Sequence, residues 1–208
     1  MDLPVVELRR YTLVPGRRDE MIDVFERHLM ESQQDTGMYV LGTFRDLDRP
    51  DHFVWLRGFP DMGSRKDSLT AFYSGPVWKE YGPVVRPTMV DTDDVHLLRP
   101  VGPGLSPGPL PPVGAEPPGG IVYVTFAATP DAFATFVTEK AENTYPALPV
   151  HEGVDVTVSL TRTPPPGPAG PGGPAGPAGP TAPAGPAGPT APAGAPARLT
   201  PTARSPLR

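Results

Sequence analysis

The sequence predicts an α+β fold whose first hundred residues form a β-α-β-β-α-β unit, the ferredoxin-like arrangement. Three observations predict it. Val6 to Val14 reads as a strand that stops at Pro15-Gly16 and runs straight into an amphipathic stretch. Residues 38–45 and 52–59 read as two strands joined by a turn. A second helical stretch from Ser64 is then followed by a closing strand at residues 94–99.

The elements follow in order. In the first strand side chains alternate, so Glu7, Arg9 and Tyr11 share one face and Val6 and Leu8 the other. Residues 17–34 carry Met21, Val24, Phe25, His28 and Leu29 at helical spacing, with Asp19 and Glu20 in the first turn, where carboxylates favour the helix dipole. Gly37 ends that helix. The residues between Asp46 and Asp51, including Pro50, turn the chain between the two hairpin strands. Ser64 is placed as an N-cap with Asp67 as the acid of a capping box, and this helix breaks at Gly75-Pro76. A short amphipathic piece, 77–81, carries Trp78 and Tyr81 as caps on the core. Asp94 to Arg99 is the last strand, closed by Pro100.

Residues 101–120 are rich in Pro and Gly and read as a linker. Residues 121–163 start a similar unit again. A strand over 121–126 precedes a helix start at Thr129-Pro130-Asp131, with Phe133, Phe136, Val137 and Ala141 as its apolar face. Val154, Val156, Val158 and Leu160 alternate with polar residues as another strand. The remaining elements are missing, so this region reads as an incomplete second repeat. It leaves a sheet edge unpaired, which favours pairing with another copy of the chain.

Residues 164–208 form a tail almost wholly of Pro, Gly, Ala and Thr, without aromatic residues. Gly recurs every third position from Gly167 to Gly194, interrupted by Ala182 and Ala191, and Pro follows most of them. This composition fits a disordered polyproline-II-like tail, a short collagen-like trimeriser, or the product of a frameshift in GC-rich DNA, because Arg outnumbers Lys 15 to 3.

The net charge is −5, and both globular regions are acidic, so nucleic acid is not an expected partner. The chain has no cysteine, which excludes disulfides and thiolate chemistry. No apolar run suffices to span a membrane and the start lacks a secretory pattern, so a cytoplasmic protein with no membrane partner is expected.

The run Glu7-Leu8-Arg9-x-Tyr11-Thr12-Leu13-x-Pro15-Gly16, then Gly42-x-Phe44, Trp55, Pro76-x-Trp78 and the ending Leu98-Arg99-Pro100, resembles the NIPSNAP family. The resemblance covers residues 5–100 well and residues 121–163 weakly. It implies a dimeric α/β-barrel fold, in which two ferredoxin-like units bring their sheets together around a cavity, within one chain or between two. On that model Glu7, Arg9 and Tyr11 point into the barrel. The family has no established general catalytic activity, and related barrels include small monooxygenases. The resemblance therefore implies a small-ligand-binding or interaction module, a homo-oligomer with a dimer favoured, and no cofactor. The alternatives are a cofactor-free monooxygenase or isomerase using Arg9, Tyr11 and His52 or His96, and a scaffold trimerised by its tail.

The candidate ligand-binding residues are Glu7, Arg9, Tyr11, His52, Trp55, Arg57 and His96. A guanidinium beside a phenol suits a carboxylate or enolate. The bland reading of the same residues is a Glu-Arg pair across neighbouring strands, with Tyr11 as filling. Phe53, Trp55, Arg57 and Phe59 share one strand face, as cavity wall or as ordinary core. His28 reads as a core histidine and His151 as a solvated loop residue. The acidic run Asp91, Asp93, Asp94 reads as a solvated turn, and no metal site is expected.

Overall fold

A computed structural model describes residues 3–102, 104–165 and 195–207. The first strand, β1 (Val5–Leu13), ends at a turn in which Gly16 takes a φ of 78°, a conformation that residues with a Cβ avoid. One continuous helical segment follows, made of α1 (Arg18–Val24), a π-helical turn (Phe25–Leu29) and α2 (Met30–Asp35). Gly37, at φ 90°, reverses the chain into the next strand. The hairpin is β2 (Tyr39–Asp46) and β3 (His52–Phe59). The second helix, α3 (Met62–Ser74), is capped by Asp61 rather than by Ser64: the Asp61 side chain accepts the Ser64 amide hydrogen, so the cap lies three residues upstream of the expected one. Gly75 then admits α4 (Pro76–Val85), with Pro at its first position. β4 (Met89–Asp91) and β5 (Val95–Pro100) complete the first half.

The second half is all strand. β6 (Val122–Thr125), β7 (Ala134–Thr138), β8 (Thr157–Thr161) and β9 (Ala197–Pro201) join the sheet of the first half. The neighbour order is β5-β1-β3-β2-β9-β6-β8-β7 and back to β5, with every pair antiparallel, so eight strands close a barrel within the chain. β4 adds a short pairing to the end of β1.

Two expectations are corrected here. Thr129-Pro130-Asp131 starts no helix. Residues 134–138 alternate, with Ala134 and Phe136 buried, and pair with β5 on one side and β8 on the other. Their β-branched content and two available strand edges outweigh a helical spacing shared by only a few apolar residues. Residues 195–207 are not a disordered tail. β9 fills the gap between β2 and β6, and Leu199 is fully buried. Thr43 donates its amide to the Ser205 hydroxyl, and the Arg204 guanidinium is buried against the carbonyls of Pro111 and Glu26 and the Glu31 carboxylate. The unpaired edge that favoured a second copy is therefore occupied by the chain's own C-terminal segment. The collagen-like repeat, residues 167–194, lies outside the described residues.

Two apolar layers result. Val6, Leu8, Val54, Leu56, Leu98, Phe136, Val158 and Leu160 fill the barrel interior. Val5, Tyr11, Leu13, Phe53, Trp55 and Phe59 face outward from the barrel onto Met21, Phe25, Leu29, Leu69 and Phe72 of the helices. Glu7, Arg9 and Tyr11 thus lie beneath the helices and not inside the barrel, opposite to the expected orientation. Val6 and Leu8 fill the opposite face of β1, and a small closed barrel is filled by apolar side chains. Among the described residues no helix is long and apolar enough to cross a membrane.

Candidate functional site

The centre of the sheet–helix layer is a carboxylate. Glu7 sits on β1 directly opposite Arg57 of β3. Its Oε2 lies 2.7 Å from Nη1 of Arg9 and 2.7 Å from Nη2 of Arg57, and its Oε1 accepts from Nε of Arg65 at 2.6 Å. None of these four side chains is more than 1% exposed. Burial by itself would raise the Glu7 carboxyl, but the guanidiniums of Arg57, Arg9 and Arg65 outweigh it and hold Glu7 well below the ordinary carboxylate range. Neutral groups take some of the remaining donors, while Arg65 Nη2 has no hydrogen-bond partner. Arg65 donates to Asn143 at 3.0 Å and Arg57 to Gln33 at 3.4 Å.

Three guanidiniums around one carboxylate leave the cluster with excess positive charge. Among the described residues no second carboxylate pairs with them. Of the three guanidiniums, Arg9 borders a cavity of about 290 Å³. Arg9 and Tyr11 line it from β1, Tyr73 and Trp78 from α3 and α4, Arg86 and Met89 from the segment after α4, and Tyr145 from the loop after β7. Arg9 Nε donates to the Tyr11 hydroxyl at 2.9 Å, which leaves the Tyr11 proton available to a guest. Burial, followed by Tyr73, raises the Tyr11 phenol against the opposing charge of Arg9, so the phenol stays protonated at neutral pH. The exposed Arg86 guanidinium stacks 5.2 Å from the Trp78 ring.

A narrower apolar extension shares Tyr11, Tyr73, Trp78 and Met89 with the cavity and continues between Phe25, Leu29 and Trp55. The π-helical turn supplies Phe25 and Leu29; such turns interrupt helices frequently at functional sites. Trp55 Nε1 is buried along this extension and has no hydrogen-bond partner.

The structure divides the seven expected residues into two groups. Glu7, Arg9, Tyr11, Trp55 and Arg57 converge beneath the helices. His52 and His96 do not join them. His96 pairs with Leu8 across β1 and β5, which places it on the barrel-interior face. Burial, then His151 and Arg10, lower its imidazole to about 4 against the opposing pull of Asp94. His52, half-buried at the start of β3, is lowered by burial and by Arg49. His151 is not a solvated residue: it lies 3.1 Å from Asp94.

Arg65, Tyr73, Arg86, Asn143 and Tyr145 are additional residues around the site. Only Arg65 carried a sequence signal. It precedes Ser68, Leu69 and Phe72 at spacings of three, four and seven, which places it on the buried helix face.

The NIPSNAP family model matches residues 6–103. The match covers just under half of the chain. The match spans the strands and helices that build the cluster and most of the cavity wall. A NIPSNAP-like domain protein from Burkholderia xenovorans is 28% identical, over 50% of this chain and 91% of that one, at a TM-score of 0.46. A NIPSNAP family protein of unknown function from Agrobacterium tumefaciens is 20% identical, over 47% of this chain and 87% of that one, at a TM-score of 0.44. A candidate antibiotic biosynthesis monooxygenase from Chloroflexus aurantiacus is 21% identical, over 50% and 98%, at 0.37. No curated protein sequence matches the chain.

Proposed function

We propose that this protein is a binding module for a small organic anion, a carboxylate or enolate carrying an apolar group. The observation that carries the reading is the unbalanced charge beside the cavity: three buried guanidiniums against the single Glu7 carboxylate. An anion resting between Arg9, Arg86 and the Tyr11 hydroxyl would supply the missing negative charge through charge-assisted hydrogen bonds. Its apolar part would lie against Tyr73, Trp78, Met89 and Leu148 of the cavity wall.

The separation of Arg9 and Tyr11 from His52 and His96 argues for binding over a reaction that joins them to either histidine. The strand order β5-β1-β3-β2 supports reading residues 1–100 as a ferredoxin-like unit, with the remaining strands as a helix-free second half.

Octanoate and phenylacetate are suitable probes, and quenching of Trp78 fluorescence reports their entry. Saturable binding of either by the wild-type protein is expected. Arg86→Ala, at an exposed position, should weaken it by about 10-fold or more, the size of a hydrogen bond to a charged group. Absence of saturable binding by both probes, or affinity unchanged in Arg86→Ala, would sink the reading. Native mass spectrometry of the full-length protein adds the mass of any retained anion.

A further inference from the structure

A second cluster lies on the other face of β1. Arg10 alternates with Arg9 and so points to the barrel-interior side, toward the start of β5. There Asp94, His96 and His151 come together from the residue before β5, the strand itself and the loop between β7 and β8. One ligand atom from each lies within 4.8 Å of the other two. Nε2 of His151 is 3.1 Å from Asp94 Oδ1, Nε2 of His96 is 3.8 Å from the same oxygen, and the two imidazole rings are 4.6 Å apart.

The state of His96 distinguishes this cluster from an ordinary surface ion pair. The side chain is 4% exposed, and neither ring nitrogen has a hydrogen-bond partner. A buried polar group without a partner is uncommon in folded proteins and calls for an explanation such as an ion. The packing around it is otherwise complete, with Phe126 5.0 Å away on one side and His151 on the other. The lone pair of His96 is thus aimed into a space already bordered by a second imidazole and a carboxylate.

We infer that Asp94, His96 and His151 form a binding site for a divalent transition-metal ion of the zinc class. Two imidazoles and one carboxylate are a donor set that such ions favour, with a fourth position left for an exogenous ligand. Bonds of about 2.0–2.1 Å in a tetrahedron set ligand atoms roughly 3.3 Å apart. The His151–Asp94 spacing already matches this, His96 stands about half an ångström too far from Asp94, and the ligand atoms, within 4.8 Å of one another, draw together on binding. Arg10 donates from Nη2 to Asp94 Oδ1 at 2.9 Å, which fixes the carboxylate as a partner outside the coordination shell does. Its positive charge also opposes a cation, so the site is built for modest rather than extreme affinity.

The test uses tag-free full-length protein stripped with a chelator and titrated with zinc(II) by calorimetry and with cobalt(II) by visible absorption. One ion per chain is expected, with cobalt bands of a nitrogen- and oxygen-ligated site. His151→Ala and Asp94→Asn alter half-buried positions, and circular dichroism checks that they fold. Each should weaken binding by more than about 100-fold, beyond the roughly 10–100-fold range typical of groups outside the coordination shell. His28→Ala and Arg86→Ala, away from the cluster, should leave it unchanged. No stoichiometric binding by the wild-type protein, or binding retained in both folded variants, overturns the assignment.

Discussion

Glu7 is a buried carboxylate shared by three guanidiniums, and its removal would affect all of them. A buried charge stripped of its counterion is costly, at about 3–5 kcal/mol. Glu7→Gln is therefore expected to lower unfolding stability by at least that range in urea denaturation, because Arg9, Arg57 and Arg65 would then face one another in a dry layer. The pH dependence has a definite sign. Glu7 is lowered in the folded protein, so its contribution is present above the ordinary carboxylate value of about 4.5 and is lost as pH falls below it toward the folded value. The stability difference between wild type and Glu7→Gln should therefore be largest above pH 4.5 and shrink in acid. A difference that grows on acidification would contradict the charge cluster as drawn. At this scale the sequence was informative about residue types. Glu7, Arg9, Tyr11 and Arg57 were legible from strand alternation alone, whereas Tyr145 and Asn143 come from a loop whose path no local pattern predicts.

Among the elements, the helices were readable because their capping and breaking residues are local. Asp61 caps α3 by accepting the Ser64 amide hydrogen at 2.7 Å. Asp61→Ala should cost about 1 kcal/mol, measured by thermal or urea unfolding, while Asp67→Ala should cost little. The opposite ranking would restore the capping box expected from the sequence. β7 shows the limit of local reading. Phe133, Phe136 and Val137 satisfy a helical spacing, yet it is Ala134 and Phe136, two apart as in a strand, that are buried. The free edges of β5 and β8 decide between helix and strand, and those edges exist only after the barrel has begun to form.

For the whole molecule, closure is the dominant fact. β9 joins β2 to β6, two strands that lie far from it in sequence, and so leaves the barrel without an open edge there. Truncation after residue 194 removes β9 together with the buried Leu199 and Arg204. The expected result is loss of cooperative urea unfolding and strong binding of a hydrophobic dye, since the interior of Leu8, Phe136 and Leu160 opens along one side. A truncated protein that unfolds as sharply as the full chain would show that β9 is dispensable. The same closure separates the two candidate sites. The anion cavity lies between sheet and helices, and the metal cluster lies on the barrel side of the same strand.

Legible without the fold were the first run of strands and helices, the alternation that sets Glu7, Arg9 and Tyr11 apart from Val6 and Leu8, and the resemblance to NIPSNAP proteins. Each of these rests on spacing within a few residues or on a motif. Only the tertiary structure decided which face of β1 the helices cover, because alternation defines two faces without saying what packs on either. It likewise decided that residues 197–201 are a strand and that His96, His151 and Asp94 meet. Those outcomes depend on partners distant in the chain, whose edges and charges act only once the barrel has brought them within reach.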